Sequence, residues 1–127
     1  MELQVSFPGK MRADVSCKGF TIKTDQSAKD GGEGSAPTPF ELFLASIASC
    51  AGVYALKFCN GRGIQTEGMA IRMRTEQSEG TIMKITIDIK PPDGFPAGYL
   101  QALRRSVELC AVKRHIQTPP EFVVIAG

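Results

Sequence analysis

The stretch Thr38-Pro39-Phe40-Glu41-Leu42-Phe43-Leu44-Ala45-Ser46-Ile47-Ala48-Ser49-Cys50, continuing as Ala51-Gly52-Val53-Tyr54-Ala55-Leu56-Lys57-Phe58-Cys59-Asn60-Gly61-Arg62-Gly63, decides the fold. Three helix-start signals coincide at its head: Thr38 at the N-cap, Pro39 at the first helical position, and Glu41 at the third, placed to reach back as in a capping box. A stop falls near Gly61 or Gly63. Between these ends the helix is apolar on almost every side until Lys57, so protein must wrap it all round. Its longest uncharged run, Leu42 to Leu56, falls short of the ~18 to 20 residues that a membrane span requires. A buried helix is therefore expected, and no membrane role. One way for so small a chain to cover such a helix is to pack it against a second copy of itself.

Working outward, residues 2–7, 11–17 and 19–24 are short, partly alternating runs separated by Pro8-Gly9 and Lys18-Gly19, which reads as a three-strand meander. The polar, Gly-rich segment from Asp25 to Pro37 is a loop long enough to cover a site. Downstream, Gln65 to Glu76 and Thr81 to Lys90 alternate with period two about Ser78-Glu79-Gly80, predicting a β-hairpin. Ala97 to Ile116 carries Leu100, Leu103, Val107, Cys110 and Ala111 at helical spacing, predicting a second helix or a pair of helices. Thr118-Pro119-Pro120 ends it, and Glu121 to Ile125 reads as a final strand. The expected order is βββ-α-ββ-α-β, an α+β fold with antiparallel sheet, in a single domain over residues 1–127.

Composition narrows the function classes. Fifteen Lys and Arg against thirteen Asp and Glu give a net charge of +2, with no basic stripe interleaved with aromatics, which argues against nucleic acid. The N-terminus lacks a charged leader followed by an apolar run, so a reducing, cytoplasmic setting is expected. Four cysteines in that setting are not expected to be structural disulfides, and with no Cys-x-x-Cys pair and one His there is no zinc pattern. Any chemistry is then thiol chemistry.

Cys50 lies among small residues, Ala-Ser-Ile-Ala-Ser-Cys-Ala-Gly, which leave room for a molecule to approach the sulfur; the competing reading is a thiol that packs as a small hydrophobe. Cys59 fits the packing reading. Nine residues separate it from Cys50, and at ~100° per residue the two point to opposite sides of the helix, so they cannot form one dithiol. Cys110 has Lys113 and Arg114 three and four residues on. Either those cations favour its thiolate or they merely offset the helix C-terminal dipole. His115, the one imidazole, reads as structural.

The block from Pro39 to Cys50, followed sixty residues after that Cys by Cys110-Ala111-Val112-Lys113-Arg114-His115-Ile116 and then Pro119-Pro120, resembles the OsmC/Ohr family. The likeness runs over nearly the whole chain. It implies an intertwined homodimer with the Cys-bearing helices at its centre and two sites at the subunit interface. It further implies a catalytic set in which Cys50 is the peroxidatic and Cys110 the resolving thiol. Family hydroperoxidases carry a Glu ten residues before the first Cys, paired with an activating Arg. Phe40 occupies that position here, Glu41 is its neighbour, and Arg12 falls roughly where the Arg would come from. The capping box accounts for Glu41 without catalysis. On this resemblance the chain reduces a small organic peroxide through a Cys50–Cys110 disulfide, with Arg12 or Arg114 favouring the thiolate, a small dithiol as reductant and no bound cofactor. The alternative is a non-enzymatic thiol that binds or carries a small electrophilic or sulfur-containing ligand.

Overall fold

The computed structural model describes residues 1–127, and its packing divides them into two compact units, Met1–Ala45 and Ser46–Gly127. In the first unit the meander forms as an antiparallel sheet of β1 (Gln4–Ser6), β2 (Asp14–Cys17) and β3 (Phe20–Ile22). The register places Val15 opposite both Val5 and Ile22, and Ser16 opposite both Gln4 and Thr21. Because side chains alternate along a strand, one face is apolar (Leu3, Val5, Phe20, Ile22) and the other polar. The apolar face is largely exposed, Phe20 by 72%.

The loop that follows is organised by a buried carboxylate. Asp25 accepts hydrogen bonds from the Gln26 amide at 2.7 Å, the Ser35 amide at 3.0 Å, the Ser35 hydroxyl at 2.6 Å and the Glu33 amide at 3.3 Å. The Ser35 hydroxyl and amide, opposed by burial and helped by the other two amides, bring its pKa from 3.8 to about 2. The segment is thus a braced turn rather than a free flap.

Helix α1 runs Pro39–Asn60. At its head the Thr38 hydroxyl accepts the Glu41 amide at 3.1 Å while the Glu41 carboxylate accepts the Thr38 amide at 3.0 Å, a reciprocal capping box. At its tail the Ile64 amide reaches the Cys59 carbonyl at 3.0 Å and the Gly63 amide the Asn60 carbonyl at 3.3 Å, with Gly63 at φ +63°. This is a Schellman stop, which needs the left-handed residue that glycine supplies. By length and hydropathy α1 could cross a membrane. Its buried residues nevertheless join a protein core: Ala51, Ala55, Phe58 and Cys59 cluster with Leu103 and Val107.

In the second unit, β4 (Ala70–Ser78) and β5 (Thr81–Lys90) form the expected hairpin, with Glu79 and Gly80 both at positive φ in the turn and an irregularity at Glu76/Gln77. Two positive φ values match the right-handed strand twist across a two-residue loop. Ile71, Ile87 and Ile89 pack against the core from this side. After it come α2 (Leu100–Glu108) and α3 (Ala111–Gln117), so the second helical stretch is a pair broken at Leu109–Cys110. Leu103 is the largest side chain wholly enclosed with this core. Truncating it to Ala removes packing of a kind that costs about 2 to 5 kcal/mol.

Two expectations are corrected. Glu121–Ile125 forms no strand, and Val124 and Ile125 are 94% and 87% exposed. A strand exists only through its neighbour, and β-branched composition does not supply one. The observed order is therefore βββ-α-ββ-α-α. Secondly, α1 is not covered on every side, since Val53 and Leu56 lie over 40% exposed on the side away from Ala51 and Phe58.

Candidate functional site

Cys50 is half-buried on α1 and Cys110 is buried at the N-cap position of α3, and all four cysteines are free thiols. The structure brings Cys50 and Cys110 together, near enough for each thiol to act on the other's ionisation. The break after Glu108 makes this possible, because it turns the chain so that Cys110 and the first amides of α3 face the side of α1 that carries Cys50.

The two thiols are driven in opposite directions. At Cys50, burial pushes the pKa up, but the hydrogen bond from Cys110, the amides of Val112 and Ala111, and the Lys57 cation together bring it below the ordinary thiol value. At Cys110, burial and the hydrogen bond to Cys50 raise the pKa, and the facing amides of Lys113 and Val112 offset this only partly. The pair is thus polarised, the Cys50 thiol being shifted toward its thiolate and the Cys110 thiol away from it. The sequence offered Lys113 and Arg114 as cations for a Cys110 thiolate. With Cys110 at the N-cap rather than mid-helix, the backbone amides of Lys113 and Val112 face its sulfur, and burial together with Cys50 still raises its pKa.

Arg12 and Glu41 lie in the first unit with partners of their own. Arg12 sits before β2, its Nη2 2.7 Å from the Asp14 carboxylate, while its Nε is buried without a hydrogen-bond partner. Asp14 in turn accepts the Thr24 amide at 3.3 Å. Glu41 is engaged in the capping box. Cys17 lies 3.9 Å from the Met1 sulfur, Cys59 is enclosed with its pKa raised by burial, and His115 Nδ1 meets the Ala111 carbonyl at 2.6 Å.

Lys57 was missed from the sequence, although its signal is legible there. Seven residues after Cys50, it returns within ~20° of the same helix edge. In the same unit as the thiols a cavity of about 380 Å³ opens. Ile47, Ile85, Ile87, Ile89, Val107 and Ile116 give it an apolar lining, with Arg104, Glu108, Lys113 and Gln117 as its polar part. Ile47 lies one helical turn before Cys50 and Val107 three residues before Cys110, and neither cysteine is part of the lining. No three His, Cys, Asp or Glu side chains converge as metal ligands.

An α+β chain of antiparallel sheets and three helices, bearing two neighbouring free thiols shifted in opposite directions, defines a class of small thiol protein. The chain belongs to the OsmC-like protein family, whose model matches residues 32–124. Its fold is similar to a protein from Psychrobacter arcticus 273-4 named for osmotic-stress induction and detoxification response (TM-score 0.75, 18% identity, 88% of this chain and 85% of that one). It is also similar to an OsmC-like protein from Mycoplasma pneumoniae (TM-score 0.73, 10% identity, 93% and 87%). A third likeness is to the organic hydroperoxide resistance protein OsmC from Legionella pneumophila (TM-score 0.59, 19% identity, 91% and 88%). None of the curated proteins compared with the chain matches it significantly.

Proposed function

We propose that this chain is a cytoplasmic, thiol-dependent redox protein that reduces organic hydroperoxides, with Cys50 attacking and Cys110 resolving. The observation that carries the reading is the neighbouring pair of thiols shifted in opposite directions, since attack requires a thiolate and resolution requires a nearby thiol. The Cys50 thiolate takes the terminal peroxide oxygen, the O–O bond breaks, and the alkoxide leaves to become an alcohol by gaining a proton. Cys50 is left as a sulfenic acid. The Cys110 sulfur displaces its hydroxyl, giving a disulfide and water. A small external dithiol then reduces the disulfide and is itself oxidised, and no bound cofactor takes part.

The apolar cavity in the same unit as the pair favours a hydrophobic peroxide over hydrogen peroxide. The hydroperoxide resistance named for the Legionella relative supports the same substrate class. Arg12 and Arg114 are the sequence's nominees for the cation that holds the thiolate, Arg12 already carrying Asp14. A homodimer belongs to this reading: Val53 and Leu56 on α1, and separately the apolar face of the meander, leave surface that a second copy would cover. Light scattering at micromolar concentration should give twice the chain mass.

Stopped-flow oxidation with an alkyl hydroperoxide tests the function. Fast single-turnover loss of two thiols is expected, and in Cys110→Ser a sulfenic acid that can be trapped. Slow stoichiometric adduct formation would instead mark a binder or carrier of electrophilic ligands, the reading that Phe40 favours by removing the family carboxylate. Inertness would leave the cysteines as packing residues.

A further inference from the structure

We infer that Lys57, laid across the Tyr54 ring, is the cation that holds Cys50 as a thiolate. This rests on the reading of Cys50 as the reactive thiol. Side chains on a helix lean toward its N-terminus, so a lysine covers the turn before its own Cα. Lys57 does so: its Nζ stands 5.3 Å from the centroid of the Tyr54 ring, three residues back. That is cation–π distance, and it holds the ammonium on the path toward Cys50, two turns back on the same edge. Tyr54 is itself held, being half-buried with its carbonyl accepting the Ser106 hydroxyl at 3.4 Å.

The other cations are placed differently. Arg12 is in an ion pair with Asp14, Arg104 lies 3.7 Å from Glu108, and Arg114 is exposed beside His115, Gln117 and Thr118. Lys57 has no carboxylate within ion-pair distance, so its charge remains available to the sulfur. The groups bearing on Cys50 are then Lys57 from its own helix, Cys110 from the start of α3, and the uncharged amides of Ala111 and Val112. Beside Ile47, β5 presents isoleucines and no charge, while α2 and α3 bring Arg104, Glu108 and Lys113 to the same cavity. A helix that supplies both the nucleophile and its cation needs no arginine from elsewhere, which accounts for a reactive Cys50 in a chain with Phe40 in place of the family carboxylate.

The test is the pH profile of Cys50 alkylation by iodoacetamide, followed on the Cys50 peptide by mass spectrometry in the full-length protein. Lys57→Met should displace the profile to higher pH and slow alkylation at neutral pH by roughly twofold to fivefold, the size of an exposed charge interaction. Lys57→Arg should restore it. Tyr54→Leu should lose part of the effect and Tyr54→Phe, which keeps the ring, should not. Because Lys57 is exposed, 1 M salt should bring the wild-type profile toward that of Lys57→Met. A Lys57→Met profile superimposed on wild type overturns the inference. So does a difference that survives 1 M salt undiminished, which would make the effect one of packing. Alkylation needs no peroxide turnover, so the inference can stand where the peroxidase reading fails, and the reverse.

Discussion

Cys50 and Cys59 sit on one helix, nine residues apart, with the same covalent chemistry. Their thiols are nonetheless shifted in opposite directions. Cys59 packs with Leu103 and Val107 in the core, where nothing but the Arg62 charge counters the cost of burying a thiolate. Cys50 lies at the margin of the buried face, where α3 turns its first amides and the Cys110 thiol toward it and where Lys57 returns to the same edge. Burial disfavours the thiolate at both. What separates them is whether donors and a cation arrive from elsewhere to offset that burial. The comparison shows that the direction of a thiol's pKa shift is not a property of the helix that carries the cysteine.

The largest effect that can break this comparison is loss of activity. Cys50→Ser should reduce peroxide consumption to the uncatalysed background in a coupled or ferrous-oxidation assay, while Cys59→Ala should keep the wild-type rate and lose only packing stability. Equal dependence on the two cysteines would show that the helical-face argument is wrong. The order of alkylation sharpens the same contrast: at neutral pH, Cys50 should be modified first, with Cys110 and Cys59 lagging in peptide mass spectra.

A smaller effect extends the rule to a carboxylate. Asp25, like Cys50, is an acid whose hydrogen-bond donors come from residues up to ten positions away. Its folded-state pKa of about 2 lies below the ordinary 3.8. Its stabilising contribution is therefore complete above the ordinary value and disappears as pH falls through about 2. Asp25→Asn should lower Tm at neutral pH and flatten the acid limb of a Tm-against-pH curve. An unchanged acid limb would mean that the loop bracing contributes nothing to folding.

The smallest effect concerns Glu41. Gln serves at the third position of a capping box, so Glu41→Gln should cost under about 1 kcal/mol by thermal melt and leave the peroxide rate in place. A tenfold or greater fall in rate at unchanged Tm would correspond to about 1.4 kcal/mol of barrier and would give this carboxylate a catalytic role despite its hydrogen bond to Thr38.

The limits of α1, the meander and the hairpin could all be read from residues alone, because caps, turns and period-two alternation are local. Thr38, Pro39 and Glu41 start the helix and Gly63 stops it through contacts within a few positions of themselves. The opposite facing of Cys50 and Cys59 was equally legible, being arithmetic on one helix. The resemblance to a family paired Cys50 with Cys110, but spacing could not have done so, since sixty residues of chain leave their distance open. Tertiary structure alone decided the rest. It set the break at Leu109–Cys110, which makes Cys110 an N-cap residue and aims the α3 amides at Cys50. It also left Glu121–Ile125 without a neighbour, where composition promised a strand. Periodicity reports which face of an element wants burial, whereas ionisation and strand pairing depend on which groups arrive from distant parts of the chain, and no local pattern encodes that arrival.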